Sequence, residues 1–264
     1  MLPQATVLMG VPTFYTRLLD SSRFTAALVA KMRLFISGSA PLLAETHRAF
    51  QARTGHEILE RYGMTETNMN TSNPYAGERR AGTVGLPLPG VELRITFGGV
   101  EVAPGEVGGI EVRGKNVFLG YWQLPEKTAE DLRPDGWFIT GDLGRLDAAG
   151  YLQIVGRVKD LIITGGFNVY PKELELLLDA VDGVAESAVI GLPHRDFGEA
   201  VFAVLTARPG VTLDPAAVLA AIAPNLARFK QPKAAVVVAD LPRNAMGKVQ
   251  KNVLRAAHAM WFDT

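Results

Sequence analysis

The sequence predicts an α/β region followed by a smaller α+β domain, and three observations lead to this prediction. Apolar, strand-like runs alternate with helix-like stretches up to about Pro74. Between Gly82 and Gly156 the pattern changes, because glycine and proline recur between short segments of alternating polarity. After Arg157 the pattern becomes β-α-β-β-α-β, which is typical of a compact α+β domain.

The predicted domain boundaries follow these changes of pattern. A large domain is expected over residues 1–157. It divides into an α/β part at 1–81 and a β-rich, barrel-like part at 82–157. The smaller α+β domain is expected over 158–264.

In the α/β part, strand and helix patterns follow one another as in a parallel sheet. Ala5–Leu19 reads as a buried strand that runs into a helix, and Met32–Ser37 reads as a second buried strand. Helical spacing covers Leu42–Ala52. A third strand is expected over Glu57–Tyr62, ending in a loop at Gly63.

The β-rich part is predicted from four short alternating segments bounded by turn residues. They are Val91–Ile95, Gly109–Arg113, Trp137–Thr140 and Tyr151–Val155.

The last domain begins with a well-marked helix. Pro171 suits its first turn, an apolar stripe runs to Val181, and Gly183 ends it. Asp214 is expected to cap a second helix that continues through Ala227. Three strands and a final helix complete the domain: Ala185–Ile190, Val201–Thr206, Ala234–Val238 and Gln250–Met260.

The composition limits the classes of function. Basic and acidic side chains balance at 27 each, so no overall charge attracts nucleic acid or an anionic membrane. The chain has no cysteine, which excludes disulfides, thiolate catalysis and cysteine-bound metals. No apolar run approaches the ~20 residues of a membrane helix, and no secretory signal pattern is found. We therefore expect a cytoplasmic protein without a membrane span or a nucleic-acid partner.

The segment RYGMTET, residues 61–67, carries residue types suited to nucleotide chemistry. Its aromatic ring, flexible backbone, hydroxyl and carboxylate can stack on a base, contact a phosphate and hold a divalent cation. The alternative is a capped loop in which Thr65 is a helix N-cap and Glu66 lies in the first turn.

Three further segments carry candidate residues, each with a structural alternative. Asp142 follows a glycine at the end of an apolar strand, where it can accept ribose hydroxyls or simply close a turn. Gly165 and Gly166 allow close approach to a ligand or form a plain turn. Lys248 stands on a loop before the last helix, where its ammonium can reach phosphate oxygens or remain solvated.

Together these segments resemble the adenylate-forming family of acyl-CoA synthetases, luciferases and peptide-synthetase adenylation domains. The motifs YGMTET, TGD, GRxKD…GG…P and PRNxMGK occur in the order found in that family, over essentially the whole chain. The loop Ser37–Leu42 matches the one that lines the adenine and acyl pocket. The resemblance implies the C-terminal portion of the large AMP-binding domain, followed by the mobile C-terminal domain.

The activity implied by the resemblance has two steps. A carboxylate attacks the α-phosphate of Mg-ATP to form an acyl-adenylate and pyrophosphate. After the C-terminal domain has rotated, the thiol of coenzyme A displaces AMP to form a thioester. ATP, Mg²⁺ and coenzyme A would be required, together with a small-molecule carboxylate.

The resemblance also implies residue roles. Lys248, Thr65 and Glu66 would be catalytic, with Thr65 at a phosphate, Glu66 as the Mg²⁺ ligand and Lys248 acting electrostatically rather than by proton transfer. Lys159 would be the hinge, and Gly166 would line the tunnel for the pantetheine arm. The nucleotide site would be formed by Gly38, Ser39, Ala40, Glu60, Arg61, Tyr62, Gly63, Met64, Thr65, Asp142, Arg157 and Lys248. Of these, Tyr62 would stack near adenine, and Asp142 and Arg157 would hold the ribose.

Arg61 indicates the class of acid. Most relatives place a small or neutral residue before the Tyr-Gly pair, and this chain resembles members that activate malonate. A guanidinium can grip the second carboxylate of malonate or methylmalonate, and Ser39 can add a hydrogen bond. Two alternatives remain: a ligase for a fatty or aryl monocarboxylate, and a catalytically incomplete AMP- or CoA-binding module.

One expected segment of the family was not found. A Ser/Thr/Gly-rich loop ending in Lys-Gly holds the β- and γ-phosphates in relatives, and no such segment occurs in this chain. We therefore expect a truncated enzyme, or one that is completed by a partner. In either case we expect this chain alone to be incomplete as a catalyst. Apolar surface over residues 1–75 would then be exposed and could support association.

Overall fold

The structure is a computed structural model that describes residues 4–244 and 247–262. Ala245 and Met246, which belong to the PRNxMGK motif, lie outside the described residues. The chain divides into two compact units, one up to Ile154 and the other from Val155 onward. This geometric division lies three residues before the predicted domain boundary, which follows residue 157. That functional boundary remains a prediction.

The first unit opens with the predicted α/β layer. Its elements are β1 (Val7–Gly10), α1 (Pro12–Asp20), β2 (Leu34–Ser37), α2 (Ala44–Thr54), β3 (Leu59–Met64), β4 (Asn68–Ser72) and β5 (Leu86–Pro87). The strands lie in the order β1-β2-β3-β4-β5, and the first three are parallel. Strands β4 and β5 continue the sheet in antiparallel orientation and were not anticipated.

An aromatic core holds this layer together. Phe50 of α2 is fully buried, and its ring centroid lies 5.4 Å from Tyr15, 5.5 Å from Phe24 and 4.9 Å from Phe35. The Tyr15 hydroxyl donates to the carbonyl of Ile36 in β2 at 2.5 Å. Helices α1 and α2 are therefore fixed against the strands whose carboxyl ends carry the Ser37–Leu42 and RYGMTET segments.

The β-rich part of the first unit is an open sheet. Its elements are β6 (Val91–Phe97), β7 (Val100–Glu101), β8 (Gly108–Gly114), α3 (Pro125–Asp131), β9 (Phe138–Leu146) and β10 (Leu152–Arg157). The order is β10-β9-β8-β6-β7. Because β10 and β7 are the two edges and do not pair with each other, the sheet does not close into the barrel that the glycine-rich pattern suggested.

The second unit is the expected α+β domain. Its elements are β11 (Ile162–Thr164), β12 (Phe167–Val169), α4 (Pro171–Asp179), β13 (Val184–His194), β14 (Gly198–Ala207), α5 (Pro215–Ile222), β15 (Ala234–Val237) and α6 (Lys251–His258). Alternate residues of β13 serve two cores: Val189 packs with α4 and α5, whereas Ala188 and Ile190 pack with Leu254 of α6.

Helix α5 is shorter than predicted. It is capped by Asp214, whose carboxylate accepts from the Ala216 amide at 3.0 Å, but it ends at Ile222 rather than Ala227. Pro224 lies in the short 3₁₀ turn that follows. A proline in that turn supplies no amide hydrogen to an α-helix, which accounts for the early end.

No α-helix in the described part of the chain has the length and apolar character needed to cross a membrane.

Asp179, at the end of α4, makes the stability of the second unit depend on pH. Burial raises the pKa of Asp179 from its usual 3.8 to about 6, although Ser187 donates to its Oδ1 at 2.7 Å. Because the folded-state pKa is the higher one, the stabilising contribution is present below pH 3.8 and is lost as the pH rises through 6.

We therefore expect Asp179→Asn to increase the free energy of unfolding by about 2 kcal/mol at pH 7.5 and to change it little at pH 4. The amide keeps the oxygen that accepts from Ser187 but carries no charge. Denaturant unfolding at the two pH values measures the difference, with the exposed Asp240→Asn as the matched control. An equal effect at both pH values would contradict the assignment.

Candidate functional site

The RYGMTET segment forms a tight β-hairpin. Strand β3 continues through Gly63 to Met64 and then pairs with β4, so the expectation of a loop at Gly63 was wrong. A Cβ atom at Gly63 would lie only 2.0 Å from the carbonyl oxygen of Asn68, so only glycine allows the strands to approach this closely. Thr65 and Glu66 occupy the turn, and since β4 follows it, the alternative of Thr65 as a helix N-cap is also wrong.

Glu66 is held from the side by the segment that precedes α3. Its carbonyl oxygen accepts from the Phe118 amide at 2.8 Å, and its Oε1 lies 3.3 Å from the Tyr121 hydroxyl. The same hydroxyl lies 3.2 Å from Asp131 Oδ2. Burial and these two carboxylates raise the pKa of Tyr121 to about 12. Tyr121 is therefore a neutral donor at any physiological pH, and Glu66 is oriented while Thr65 remains exposed.

Tyr62 and Asp142 meet across the first unit. The Tyr62 hydroxyl donates to Asp142 Oδ2 at 2.6 Å, although the two residues are 80 positions apart, and both are buried. Asp142 lies within β9 rather than at its end, so it is not the turn aspartate of the structural alternative. The ring of Tyr62 packs with the core that includes Ile110 and Phe138. The stacking on adenine and the ribose contact predicted for this pair remain predictions.

Glu60 connects the two segments of the sequence that the resemblance assigns to the nucleotide site. Its carboxylate, 5% exposed, accepts from the Leu42 amide at 3.1 Å. Its carbonyl oxygen accepts from the amide of Asn73 at 2.9 Å and from the Asn73 side chain at 3.1 Å. Glu60 therefore connects the Ser37–Leu42 loop to strand β3. This is a structural role in addition to its predicted contact with the nucleotide.

A small cavity of about 260 Å³ lies beside Arg61. Its lining residues come from β1, α1, the Ser37–Leu42 loop and the β3–β4 hairpin: Met9, Gly10, Val11, Phe14, Gly38, Ser39, Arg61, Gly63 and Met69. Arg61 Nη2 lies 3.0 Å from the sulfur of Met9 and makes no ion pair with any residue that the structure describes. Ser39 has a left-handed backbone, with φ of 68°, and Ala40 next to it is exposed. The guanidinium of Arg61 can therefore bind an anionic ligand in this cavity.

In the second unit, Lys248 stands on a closed turn before α6. Its amide donates to Asn244 Oδ1 and its carbonyl oxygen accepts from the Asn244 amide, both at 3.0 Å. Gly247 has a φ of 77°, which is the left-handed conformation that this turn needs. The backbone of Lys248 is therefore fixed, while its side chain is half-buried.

The other predicted residues of the second unit lie at its beginning. Arg157 ends β10 and is exposed, as is Lys159 in the following 3₁₀ turn. Gly165 and Gly166, with φ of 56° and 81°, form the two-residue turn between β11 and β12. Both glycines are exposed, and a Cβ atom at Gly166 would meet no atom within 4 Å. Its surroundings are therefore open, and the tunnel-lining role remains a prediction beside the alternative of a plain turn.

The residues present fit a magnesium ion that is shared with a substrate. Mg²⁺ is usually bound by one or two carboxylates together with substrate phosphates and water. Among the residues that the structure describes, no group of three or more His, Cys, Asp or Glu side chains is placed to hold a metal. Glu66, at a turn beside exposed Thr65, would therefore supply one carboxylate, and phosphate and water oxygens would supply the remaining ligands.

Two residues that position the site, Asn73 and Tyr121, were not found from the sequence. Asn73 supports Glu60 through β4, and Tyr121 reaches Glu66 from a segment 55 positions away. The only sequence signal was that each is a polar side chain within a run of turn residues. Such a signal does not specify a partner so distant in the chain.

Comparison with known proteins identifies two matching family models. The model described as "AMP-binding enzyme" matches residues 3–122, and the one described as "AMP-binding enzyme C-terminal domain" matches residues 173–248. The ATP-bound crystal structure of MatB from Rhodopseudomonas palustris is similar, with a TM-score of 0.96 and 61% identity. That similarity covers 99% of this chain and 52% of the other.

Two curated relatives differ in the acid they are named for. A mitochondrial malonate–CoA ligase of Mus musculus is 39% identical, with 96% of this chain matching 48% of the relative. A long-chain-fatty-acid–CoA ligase of Yersinia pestis is 38% identical, with 95% of this chain matching 44% of the relative. The chain thus spans about half the length of the curated relatives it matches.

Proposed function

Because this chain belongs to the AMP-binding family of adenylate-forming enzymes, we propose that it forms part of an ATP-dependent acid–thiol ligase for malonate or methylmalonate. The observation that carries the choice of acid is Arg61, whose guanidinium faces a cavity of about 260 Å³ without an ion-pair partner among the described residues. Ligand pockets for drug-sized molecules are usually ~300–1,000 Å³. A smaller cavity with a cation suits a short acid with a second carboxylate.

In the first step of the proposed reaction, one carboxylate oxygen of the acid attacks the α-phosphorus of ATP. The bond between the α-phosphorus and the bridging oxygen breaks, so pyrophosphate leaves and the acyl-adenylate forms. Arg61 would hold the second carboxylate during this step by a bidentate, charge-assisted contact. Thr65 would contact a phosphate, and Glu66, oriented by Tyr121, would hold the magnesium ion that neutralises phosphate charge.

Lys248 would serve the same step electrostatically. The carboxylate and the α-phosphate are both anionic, so their approach is unfavourable unless a positive charge lies near both. A lysine ammonium on a fixed turn provides that charge without transferring a proton.

In the second step, the sulfur of coenzyme A attacks the acyl carbon, and AMP leaves with the electron pair of the broken acyl–oxygen bond. We propose that the second unit turns about Lys159 between the steps, so that Lys248 withdraws and Gly166 lines the path of the pantetheine arm. The exposure of Lys159 and the open space at Gly166 support these roles.

Because the chain spans about half the length of its relatives, the proposal is tested on the 264-residue chain joined to the missing first half of a relative such as MatB, incubated with Mg-ATP and malonate before coenzyme A is added. We expect pyrophosphate release that depends on malonate, followed by malonyl-CoA formation, with octanoate as the monocarboxylate comparison. Faster turnover of octanoate would favour the monocarboxylate alternative. Binding of AMP in calorimetry without pyrophosphate release would favour an incomplete binding module.

We also propose a cytoplasmic location. Fluorescence microscopy of the tagged protein tests it.

The hinge gives a prediction of its own. Lys159→Pro fixes φ at the proposed pivot and should lower thioester formation about tenfold or more, because conformational change limits many such steps. Acyl-adenylate formation, measured as pyrophosphate exchange, should change less than twofold. The neighbouring exposed Val158→Ala serves as the control. Equal loss in both half-reactions would contradict the hinge role.

A further inference from the structure

A side chain outside the predicted site holds the turn that carries Lys248. The guanidinium of Arg243 donates through Nη1 to the carbonyl oxygen of Gly247 at 2.7 Å. Through Nη2 it forms a short ion pair with Glu186 of β13. One planar group thus connects the turn with β13, the edge strand that pairs with β14, and this is the geometry that an arginine fork favours.

The backbone of this turn is closed by hydrogen bonds of its own. In addition to the two bonds between Asn244 and Lys248, the Gly247 amide donates to the Asn244 carbonyl at 2.9 Å. The Gln250 amide donates to the Pro242 carbonyl at 2.8 Å, and Arg243 bridges to Val249 as a β-pair. These bonds join the described residues on both sides of Lys248, and Arg243 connects them to β13.

The other end of the connection is rigid. Glu186 belongs to β13, which pairs with β14 from Val184 to His194. Its carbonyl oxygen accepts from the Thr206 hydroxyl at 3.2 Å, and the neighbouring side chains Ser187 and Ala188 are buried. The backbone of Glu186 is therefore held by pairing with β14, next to a register shift between Val184 and Glu186, and its side chain is about a third exposed (37%).

We propose that Arg243 and Glu186 are positioning residues for Lys248. The proposal rests on the proposed function, in which the Lys248 ammonium must lie near two anionic groups during adenylate formation. A lysine side chain has four rotatable bonds, so its charge is useful only when its backbone is held. A misplacement of about 1 Å can cost up to ~100-fold in rate. Arg243 and Glu186 supply that hold without touching the substrate.

The first test compares half-reactions. Arg243→Ala in the 264-residue chain should lower acyl-adenylate formation about tenfold, while thioester formation from supplied malonyl-adenylate should stay within twofold. Arg195→Ala, at an arginine whose side chain is 94% exposed, is the matched control and should change neither. A purely structural role would lower both half-reactions and the melting temperature together, and that result would overturn the proposal.

A double-mutant cycle measures the coupling between Arg243 and Glu186. Glu186→Gln should lower adenylate formation about three- to tenfold, and the double variant should be no slower than Arg243→Ala, because both changes break one connection. Arg243→Lys should restore part of the rate, since it keeps the charge but loses the fork. Fully additive losses would contradict the proposed coupling.

A second readout does not depend on activity. Amide hydrogen exchange over residues 247–250 should be about tenfold faster in both single variants, because these amides are protected only while the turn is anchored. If the unmodified chain forms no adenylate at all, the proposed function fails, yet the exchange data still decide whether Arg243 and Glu186 hold the turn. Unchanged exchange in both variants would overturn the inference.

Discussion

Lys248→Ala should lower the rate of acyl-adenylate formation about 100- to 1,000-fold, the usual range for losing one preorganised group that stabilises transition-state charge. Lys248 stands on a turn closed by Asn244, so truncation removes the ammonium and leaves the backbone bonds in place. The KM for malonate should change much less than kcat, because the charge is needed when the two anions approach.

The measurement is malonate-dependent pyrophosphate exchange, with the second half-reaction measured from supplied malonyl-adenylate. That half-reaction should be nearly unaffected, because in the proposed mechanism Lys248 has withdrawn when the thiol attacks. Lys31→Ala, at an exposed lysine of the first unit, is the control. If Lys248→Ala retained more than about a third of the adenylation rate, its electrostatic role would be refuted.

Arg61→Gly should raise the KM for malonate about 10- to 100-fold, because a hydrogen bond to a charged group contributes about 1.5–3 kcal/mol. The KM for ATP should change less than twofold, since the Tyr62–Asp142 pair and Glu66 belong to the adjoining nucleotide region and are held by other residues. Selectivity should also move: the ratio of kcat/KM for malonate to that for propionate should fall by a similar factor.

Arg48→Ala on the exposed face of α2 serves as the matched control for Arg61→Gly. Arg61→Lys is expected to lie between the unmodified chain and the glycine variant, because it keeps a point charge and loses the bidentate geometry. A parallel rise of the KM for malonate and for ATP would show that Arg61 supports the fold rather than the acid.

Periodicity and turn residues predicted most of the architecture. The parallel order of β1, β2 and β3 and the α+β character of the second unit were both expected, because buried strands and amphipathic helices have clear local patterns. The hairpin β3–β4 was missed because the polar segment Asn68–Ser72 has no apolar alternation, and its pairing depends on Gly63 instead. Helix α5 was overextended because the predicted helix was carried past Pro224.

The candidate site was predictable as a set of residues but not as a set of contacts. The motifs identified Glu66, Asp142 and Lys248, because each motif is a short run of neighbouring residues. The contacts that orient two of them join distant parts of the chain: Tyr121 reaches Glu66, and Arg243 connects the turn of Lys248 with Glu186. Such contacts follow from tertiary packing, which local patterns do not encode.

The hydrogen bond from the Leu42 amide to Glu60 has a consequence for how acid preference can change. It joins the loop that contains Ser39 to the strand that contains Arg61, and both line the cavity that the proposed function assigns to the acid. Under the proposed function, acid preference would then vary by exchange of single side chains that line the cavity, such as Met9, rather than by movement of the loop. Insertions in the loop would break the hydrogen bond between Leu42 and Glu60 and would disturb the cavity and the predicted nucleotide region together.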